Sequence, residues 1–353
     1  MSTQEAADKW GLPQQLVIAL CFENQIDNVT LINNTWHIPY SAKKPLTSKS
    51  PDEHISVVTP VKPFLKWAGG KGQLLEEIAN LYPFEKFSIT KYCEPFVGGG
   101  AVLFDILNKY YLDEIFISDI NQELINTYIV IRDSVEKLIY LLATMQNEFI
   151  PLDKDRRKKY YLEKREQFNN LIISESNSVC IEKAALMIFL NKTCFNGLYR
   201  VNKKGLFNVP MGSYKKPLIC DEANLRAISK MLTNVSINCG DYRESQNFID
   251  ENTFVYFDPP YRPISSTSNF TSYSENAFDD CEQKKLAEYV QELDKLGAKI
   301  ILSNSDPKNS NPDDDFFDVL YSSFNIKRVE AKRMINSKAN ARGLIKELLI
   351  SNF

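Results

Sequence analysis

Short apolar runs that end at a glycine or an acidic residue recur between residues 91 and 306. They read KYCEPFVGGG, EIFISDIN, VSINCGDY, FVYFDPPY and KIILSNSD, and helical patterns alternate with most of them. Runs of this length indicate buried strands, and strands that alternate with helices form parallel sheets. The pattern therefore predicts an α/β fold with a doubly wound, largely parallel sheet.

A charged, helix-rich segment interrupts this alternation between residues 135 and 235. It contains DKDRRKKYYLEKREQF and ends in the loop NKTCFNGLYRVNKKGLFNVPMGSYKKP. A charge run of the first kind is typical of a solvated helix. We therefore interpret residues 135–235 as an insertion between two parts of one sheet domain, residues 61–134 and residues 236–353.

Residues 1–42 form a separate module in this interpretation. Ser2 to Glu5 has the pattern of a capping box, Gly11 ends a short helix, and PQQLVIALCFE fits a second helix. The segment NVTLINNTWHIP alternates around two asparagines, as in a hairpin. These signals predict a helix-turn-helix-like unit, and the proline- and serine-rich residues 43–60 are predicted to be a linker.

Composition excludes several classes of protein. The chain has 353 residues, of which 44% are hydrophobic and 25% charged, and its seven cysteines are irregularly spaced, so reduced thiols are expected rather than disulfides. Only two histidines are present, His37 and His54, so we expect neither a metal site nor histidine-based catalysis. The start lacks a secretion signal and no apolar run reaches the length of a membrane span. We therefore expect a cytoplasmic protein with no membrane contact.

Charge is distributed unevenly along the chain. The net charge is −3, yet residues 151–216 hold 14 Lys and Arg against 6 Asp and Glu. A solvated helix explains part of this excess. The second basic cluster, at residues 200–216, is interleaved with Tyr, Phe, Gly and Pro, which is typical of a loop that contacts a polyanion. The distribution favours nucleic acid as a partner.

The tetrapeptide Asp-Pro-Pro-Tyr at residues 258–261 directly follows an apolar run. Proline fixes its own φ and donates no backbone hydrogen bond, so the strand must stop at Asp258. Ligands bind at the carboxyl ends of strands in open α/β sheets, so we expect Asp258 and Tyr261 to lie in a crevice. A turn that only terminates the strand is the alternative.

Glycine-rich segments precede this corner along the chain. EPFVGGGAVLF joins a strand to a helix, so residues 98–100 are predicted to form the first turn of a nucleotide-type fold. Asp119 ends the next strand about 20 residues later, where a carboxylate commonly binds ribose hydroxyls. It could equally cap the helix that starts near Asn121. Upstream, PFLKWAGGKGQLL places Trp67 and Lys71 beside glycines, which favours a ligand pocket.

Taken in chain order, the motifs PFLKWAGGK, EPFVGGG, SDIN, TCFNGLYRVNKKGLFNVP, GDY and DPPY resemble those of the Dam-like DNA adenine-N6 methyltransferases. The resemblance covers roughly residues 61–353. It implies a Rossmann-like methyltransferase sheet that uses S-adenosyl-L-methionine, with residues 135–235 as a helical target-recognition domain. It also implies double-stranded DNA as substrate, chiefly at GATC sites.

The resemblance implies site residues as well. The catalytic positions are Asp258, Pro259, Pro260 and Tyr261, whose acceptor groups would repolarise the adenine amine while the tyrosine stacks on the extracted base. The positions implied to contact or line the pocket of the cofactor are Trp67, Lys71, Glu94, Phe96, Gly98, Gly100, Asp119, Asp241 and Asp258, with Gly99 in the same turn.

Base flipping leaves a gap in the duplex, and Phe195-Asn196 match the pair that the family inserts there. Arg200 would read a guanine, while Lys203, Lys204, Lys215 and Lys216 suit phosphates. Lys66 and Pro210 match family positions that touch bases. The segment after Tyr261 resembles a loop that closes over cofactor and base through Phe270 and Tyr273.

Other readings of the chain stay open on the sequence alone. The same chemistry could act on RNA or on a protein amide, and a catalytically silent DNA-binding regulator could keep the fold. Residues 1–40 resemble excisionase-type or MerR-type modules, but they hold only Lys9 against four acidic residues, a net charge of −3. Because a groove-reading module needs cations, we favour a protein partner for this module, or docking to the catalytic domain itself, over independent DNA binding.

Overall fold

The computed structural model describes residues 1–12, 14–22, 25–32, 35–44, 60–67, 69–174, 178–262, 278–332 and 344–353. The N-terminal module has helices α1 (Thr3–Trp10) and α2 (Gln14–Phe22), and an antiparallel pair of strands, β1 (Thr30–Ile32) and β2 (Thr35–His37). The predicted capping box is confirmed, and Gly11 ends α1 in the left-handed conformation. The turn at Asn33-Asn34 and most of the linker lie outside the described residues.

A seven-stranded sheet forms the body of the protein. Its strands are β3 (Lys91–Glu94), β4 (Glu114–Asp119), β5 (Val235–Cys239), β6 (Thr253–Phe257), β7 (Lys299–Ser305), β8 (Asn325–Lys332) and β9 (Leu344–Ser351). Their order in the sheet is β5-β4-β3-β6-β7-β9-β8, and the first five pair in parallel. All five predicted strands and their parallel arrangement are confirmed. The antiparallel pair β8-β9 extends the sheet beyond β7 and was not predicted.

Helices connect these strands. They are α3 (Leu75–Ala79), α4 (Ala101–Leu107), α5 (Gln122–Phe149), α6 (Lys154–Ile173), α7 (Ile181–Thr193), α8 (Glu222–Met231), α9 (Asp280–Lys295) and α10 (Phe316–Leu320). The helix-rich segment lies between β4 and β5, as expected. The proposed boundary at residue 134 falls within α5, where Ser134 has non-helical backbone angles of φ −145° and ψ 35°. None of the helices in the described part of the chain combines the length and the apolar character that a membrane span requires.

The sheet is buried on both faces, which explains why its central strands are continuous apolar runs. Successive residues of β6 belong to different apolar clusters: Phe254 and Tyr256 to one, Val255 and Phe257 to the other. The first cluster also includes residues of α4, α5, α7 and α8, and the second includes residues of α9 and α10. The N-terminal module has an apolar cluster of its own. Parallel sheets are covered in this way because helices cross over both faces.

Candidate active site and DNA-facing loop

The tetrapeptide Asp258–Tyr261, which forms the corner after β6, is hydrogen-bonded by buried polar side chains. Gln283 of α9 donates a hydrogen bond from Nε2 to the Pro260 carbonyl at 3.0 Å. Asn304 of β7 accepts from the Arg262 amide at 3.3 Å and donates to Gln283 at 3.1 Å. Both side chains are fully buried. This network fixes the backbone of the corner, and neither residue was predicted from the sequence.

An ion pair lies at the front of the corner. Lys71 Nζ is 2.6 Å from Asp258 Oδ1, and the lysine side chain is only 4% exposed. The same ammonium donates to the Gly69 carbonyl at 2.7 Å and lies 4.7 Å from the centre of the Tyr261 ring. Lys71 thus joins the glycine-rich segment to two residues of the tetrapeptide.

Glu347 completes this group from β9. The Tyr261 hydroxyl donates to Glu347 Oε2 at 2.6 Å, which fixes the orientation of the ring. Burial raises the pKa of Asp258 to about 6; Lys71 opposes this shift and Glu347 adds to it. Sequence reasoning missed Glu347. The only available signal was an acidic residue within the apolar run LIKELLIS.

The glycine turn follows β3, the strand next to β6, and it contacts Asp119 at the end of β4. Gly98 and Gly100 have φ values of +48° and +73°, which is why glycine is required there. Asp119 accepts from the Gly98 amide at 3.1 Å and from the Asn121 amide at 2.9 Å. Asn121, and not Asp119, caps α5. Burial raises the pKa of Asp119, and the amides that donate to it oppose the rise.

Trp67 is packed between the glycine turn and the helix-rich segment. A Cβ atom at Gly98 would come within 2.9 Å of Trp67 Cδ1, so the ring lies directly on the turn. Its centroid is 5.4 Å from that of Tyr199, and the two rings are inclined by 25°. The expected neighbourhood of Trp67 and the glycine turn is therefore observed.

Three further expected positions lie at or just after the carboxyl ends of β3 and β5. Glu94 is 2% exposed and accepts from the Tyr92 hydroxyl at 2.6 Å, and burial raises the pKa of Glu94 well above its usual range. Phe96 stacks on Tyr242 with centroids 5.4 Å apart. Asp241 follows β5. Burial would raise the pKa of Asp241, but hydrogen bonds from Arg243 outweigh this effect and hold the pKa below its ordinary value.

The residues between the glycine turn and β5 suit a nucleoside-type ligand. Asp119 offers a carboxylate for hydroxyl groups, and Ile120 beside it is 64% exposed, an apolar surface on which a base can lie. Trp67 supplies an aromatic face nearby. The residues present thus fit S-adenosyl-L-methionine. Ile120 was not predicted from the sequence, although it directly follows Asp119.

The basic loop after α7 presents an aromatic side chain to solvent. Phe195 is 53% exposed, and its amide donates to the Pro210 carbonyl at 2.9 Å. Asn196 has a φ of +56°, so the turn Phe195–Gly197 is tightly bent. Phe195, Asn196 and Pro210 therefore lie together at one exposed tip, and the loop-tip position expected for Phe195 is observed.

The cations of the loop differ in their contacts. Arg200 is exposed and donates from Nε to Asn208 Oδ1 at 2.7 Å. Lys203 and Lys204 are exposed on the adjoining turn. Lys66 precedes Trp67 in the chain, and its Nζ lies 5.1 Å from the centre of the Tyr214 ring. Phe270 and Tyr273 lie outside the described residues.

Helix α6 supports the loop from behind. The buried Tyr161 hydroxyl donates to the Val209 carbonyl at 2.8 Å, and Asn169 pairs with the backbone of Phe207 at 2.9 and 3.1 Å. The helix exposes most of its charged residues, as predicted; only Tyr161 and Phe168 are buried. Helix α6 thus fixes the backbone of the loop, whose basic residues Arg200, Lys203 and Lys204 are exposed.

Comparison with known proteins identifies the family of this chain. The family of D12 class N6 adenine-specific DNA methyltransferases matches residues 67–335. The type II methyltransferase M.MjaIII of Methanocaldococcus jannaschii is 51% identical over 296 residues, which are 83% of this chain and 99% of the relative. M1.LlaDCHI of Lactococcus lactis subsp. cremoris, also a type II methyltransferase, is 40% identical over 83% of this chain and 96% of its own. A DNA adenine methylase of Haemophilus influenzae is 33% identical over 82% of this chain and 92% of the relative. The chain therefore belongs to the D12 class of N6 adenine-specific DNA methyltransferases.

Proposed function

We propose that this enzyme methylates N6 of the adenine in GATC sites of double-stranded DNA, after flipping the base out of the helix. The observation that carries the proposal is the group that the buried Lys71 forms with Asp258 and Tyr261 at the carboxyl end of β6. The enzyme class requires S-adenosyl-L-methionine as methyl donor. Asp119, Ile120, Trp67 and the glycine turn are the residues that would hold it.

The corner residues address the low nucleophilicity of the adenine amine, whose lone pair is delocalised into the ring. The Asp258 carboxylate and the Pro259 carbonyl would accept the two N–H bonds and make the nitrogen more tetrahedral. The carboxylate has two oxygens, so it can keep Lys71 on one and accept the amine on the other. The bound cofactor would supply an electrophilic methyl group. Positioning of the amine by a rigid corner supplies much of the rate enhancement.

Tyr261 would hold the flipped base by stacking. Its hydroxyl is already bound to Glu347, so the ring needs no reorientation when the base arrives. Phe195 is an exposed apolar side chain that can fill the gap left in the duplex. Extraction of a base costs a few kcal/mol, which such contacts offset.

Specificity rests on the loop in this proposal. Arg200 would exchange its contact with Asn208 for guanine O6 and N7, and Lys66 and Pro210 would touch neighbouring bases. Lys203 and Lys204 would neutralise phosphates. The GATC assignment is supported by the resemblance of the segment TCFNGLYRVNKKGLFNVP to the recognition loop of Dam-like enzymes.

Expression in a bacterial host without adenine methylation tests the proposal. Sequencing that detects N6-methyladenine should find the mark in GATC and at no other tetranucleotide. Methylation of a different motif would refute the GATC assignment and leave the chemistry intact. Unmethylated DNA, with purified enzyme that binds GATC duplexes, would instead favour the silent regulator, and methyl transfer to RNA or protein alone would favour the second alternative.

For residues 1–40 we propose a role in contacting a protein partner in the cytoplasm. The module has its own apolar core, and Leu31 and Ile32 of β1 are 41% and 52% exposed. A shortened chain that starts at Ser56 should keep GATC specificity and most of its turnover on short duplexes. A loss of duplex affinity of tenfold or more on shortening would show that the module binds DNA instead.

A further inference from the structure

Asn191, in the last turn of α7, connects the DNA-facing turn Phe195–Gly197 to the segment that carries Lys66 and Trp67. Its side chain is 3% exposed, and all of its hydrogen bonds go to backbone groups of other segments. Asn191 Oδ1 accepts from the Lys66 amide at 2.9 Å, and Nδ2 donates to the Lys66 carbonyl at 2.8 Å and to the Gly197 carbonyl at 2.9 Å. Both N–H groups of the carboxamide are therefore used. Helix α7 does not need this side chain for its own end, because its C-cap is Cys194.

The two segments that Asn191 joins also touch each other closely. Gly197 has a φ of +65°, and a Cβ atom there would lie 2.6 Å from Lys66 Cδ and 2.7 Å from Lys66 Cβ. The turn that carries Phe195 and Asn196 is therefore fitted against the residue that precedes Trp67. Displacement of this turn must displace Lys66, or break the bonds of Asn191.

Trp67 extends this connection to the cofactor side. Its ring lies on the glycine turn and stacks on Tyr199, two residues beyond Gly197. The Tyr199 hydroxyl is 3.4 Å from Glu123 Oε2 in the first turn of α5, just after Asp119 and Asn121. A ligand that fixes Trp67 against the glycine turn would thus fix the base of the DNA-facing turn as well.

We propose that Asn191 is a positioning residue that couples cofactor binding to DNA binding. This inference rests on the proposed function. Coupling through contiguous packed groups is reciprocal, so a cofactor that tightens DNA binding must be bound more tightly when DNA is present. The Asn191 side chain is buried, so it would contact neither ligand directly. Its loss should therefore reduce the dependence of one affinity on the other, beyond any change in each affinity alone.

Asn126 provides a matched control. Its buried carboxamide also pairs with both backbone groups of one residue, accepting from the Cys180 amide at 2.8 Å and donating to the Cys180 carbonyl at 3.0 Å. It joins α5 to the start of α7, and its hydrogen bonds in the described part of the chain go to Cys180 rather than to residues 66–67 or the Phe195–Gly197 turn. Asn126→Ala and Asn191→Ala should lower the melting temperature to a similar extent, because each removes one buried amide clamp.

The test measures the dissociation constant of a GATC duplex by fluorescence anisotropy, with and without saturating S-adenosyl-L-homocysteine. The ratio of the two constants should be about tenfold for the full chain, within the usual range of coupling. It should fall below about twofold in Asn191→Ala and stay at the unaltered value in Asn126→Ala. If Asn191→Ala does not fold, Asn191→Asp serves the same purpose, since it retains the acceptor and loses both donors.

The outcomes separate the inference from the function on which it rests. An unchanged ratio in folded Asn191→Ala would overturn the inference, because a purely structural role weakens both affinities and leaves their ratio alone. A ratio of one in the unaltered enzyme would overturn it as well. If the unaltered enzyme binds neither the duplex nor S-adenosyl-L-homocysteine, the proposed function fails first.

Discussion

The corner after β6 and the loop after α7 are built on opposite principles. At the corner, the charged groups are already paired within the protein: the buried Lys71 pairs with Asp258, and the neutral Tyr261 hydroxyl donates to the Glu347 carboxylate. In the loop, the buried contacts are neutral, from Tyr161, Asn169 and Asn191, and the cations are left in solvent. The first arrangement fixes charges before any substrate arrives. The second fixes the backbone of the loop and leaves its cations free to pair with a ligand.

This difference has a physical reason in each case. A carboxylate that must polarise an amine gains strength from a water-poor site whose dipoles are already in place. Cations that meet DNA gain their free energy from released counterions, which requires them to be hydrated and accessible beforehand. Changes at the corner should therefore alter the chemical step, and changes in the loop should alter the choice and affinity of DNA.

Loss of the Asp258 carboxylate should have the largest effect. Asp258→Ala should lower the single-turnover rate of methyl transfer by about 100-fold or more, because one of the two acceptors of the amine is removed. The matched control is Asp250→Ala, which removes a carboxylate paired with Lys91 at the amino end of the same strand. A rate for Asp258→Ala within a few-fold of the unaltered enzyme would contradict the mechanism.

Substitution of Arg200 should alter specificity rather than chemistry. Arg200→Ala should cost roughly 1 to 3 kcal/mol of discrimination at the guanine that it reads. The measurement is kcat/KM for GATC relative to duplexes with one altered base pair. Arg156→Ala, which removes an exposed arginine of α6 paired with Asp153, is the control. If Arg200→Ala left the ranking of altered sites untouched, the loop would not read bases through this residue.

Acid should inactivate the corner and leave the loop intact. Because a protonated Asp258 is a much weaker acceptor than the carboxylate, and its pKa is raised to about 6, kcat/KM should fall about tenfold per unit as pH drops below that value. Glu347 contributes to the rise, so Glu347→Gln should move the midpoint to lower pH, while Glu330→Gln on the neighbouring strand β8 should not. An unchanged midpoint in Glu347→Gln would show that Glu347 does not influence the pKa of the reacting carboxylate.

The exposed lysines should produce the smallest effect. Lys203→Ala or Lys204→Ala should weaken binding to all duplexes alike and reduce the slope of log affinity against log salt by about 1. Lys295→Ala, at an exposed position of α9, should leave the slope unchanged. A loss of affinity confined to GATC duplexes would place these lysines at bases and not at phosphates.

The sequence predicted those parts of the molecule that local rules determine. Apolar runs stopped by glycine, acid or proline marked five strands, and the same stops marked Asp119 and Asp258. Strand β8 was missed because its pattern, NIKRVEAK, is mostly polar and lies near the edge of the sheet. Gln283, Asn304 and Asn191 were missed for another reason: each acts on backbone far away in sequence, and only the folded chain shows which backbone that is.

The separation of these contacts along the chain has a kinetic consequence. Lys66 and Asn191 are 125 residues apart, and Tyr261 and Glu347 are 86 residues apart. Closure of such long loops is entropically costly and slows folding relative to contacts between neighbours. Secondary structure should therefore appear well before the site is complete. During refolding from denaturant, recovery of S-adenosyl-L-homocysteine binding should follow the slowest phase, so ligand binding reports when the last distant segments have met.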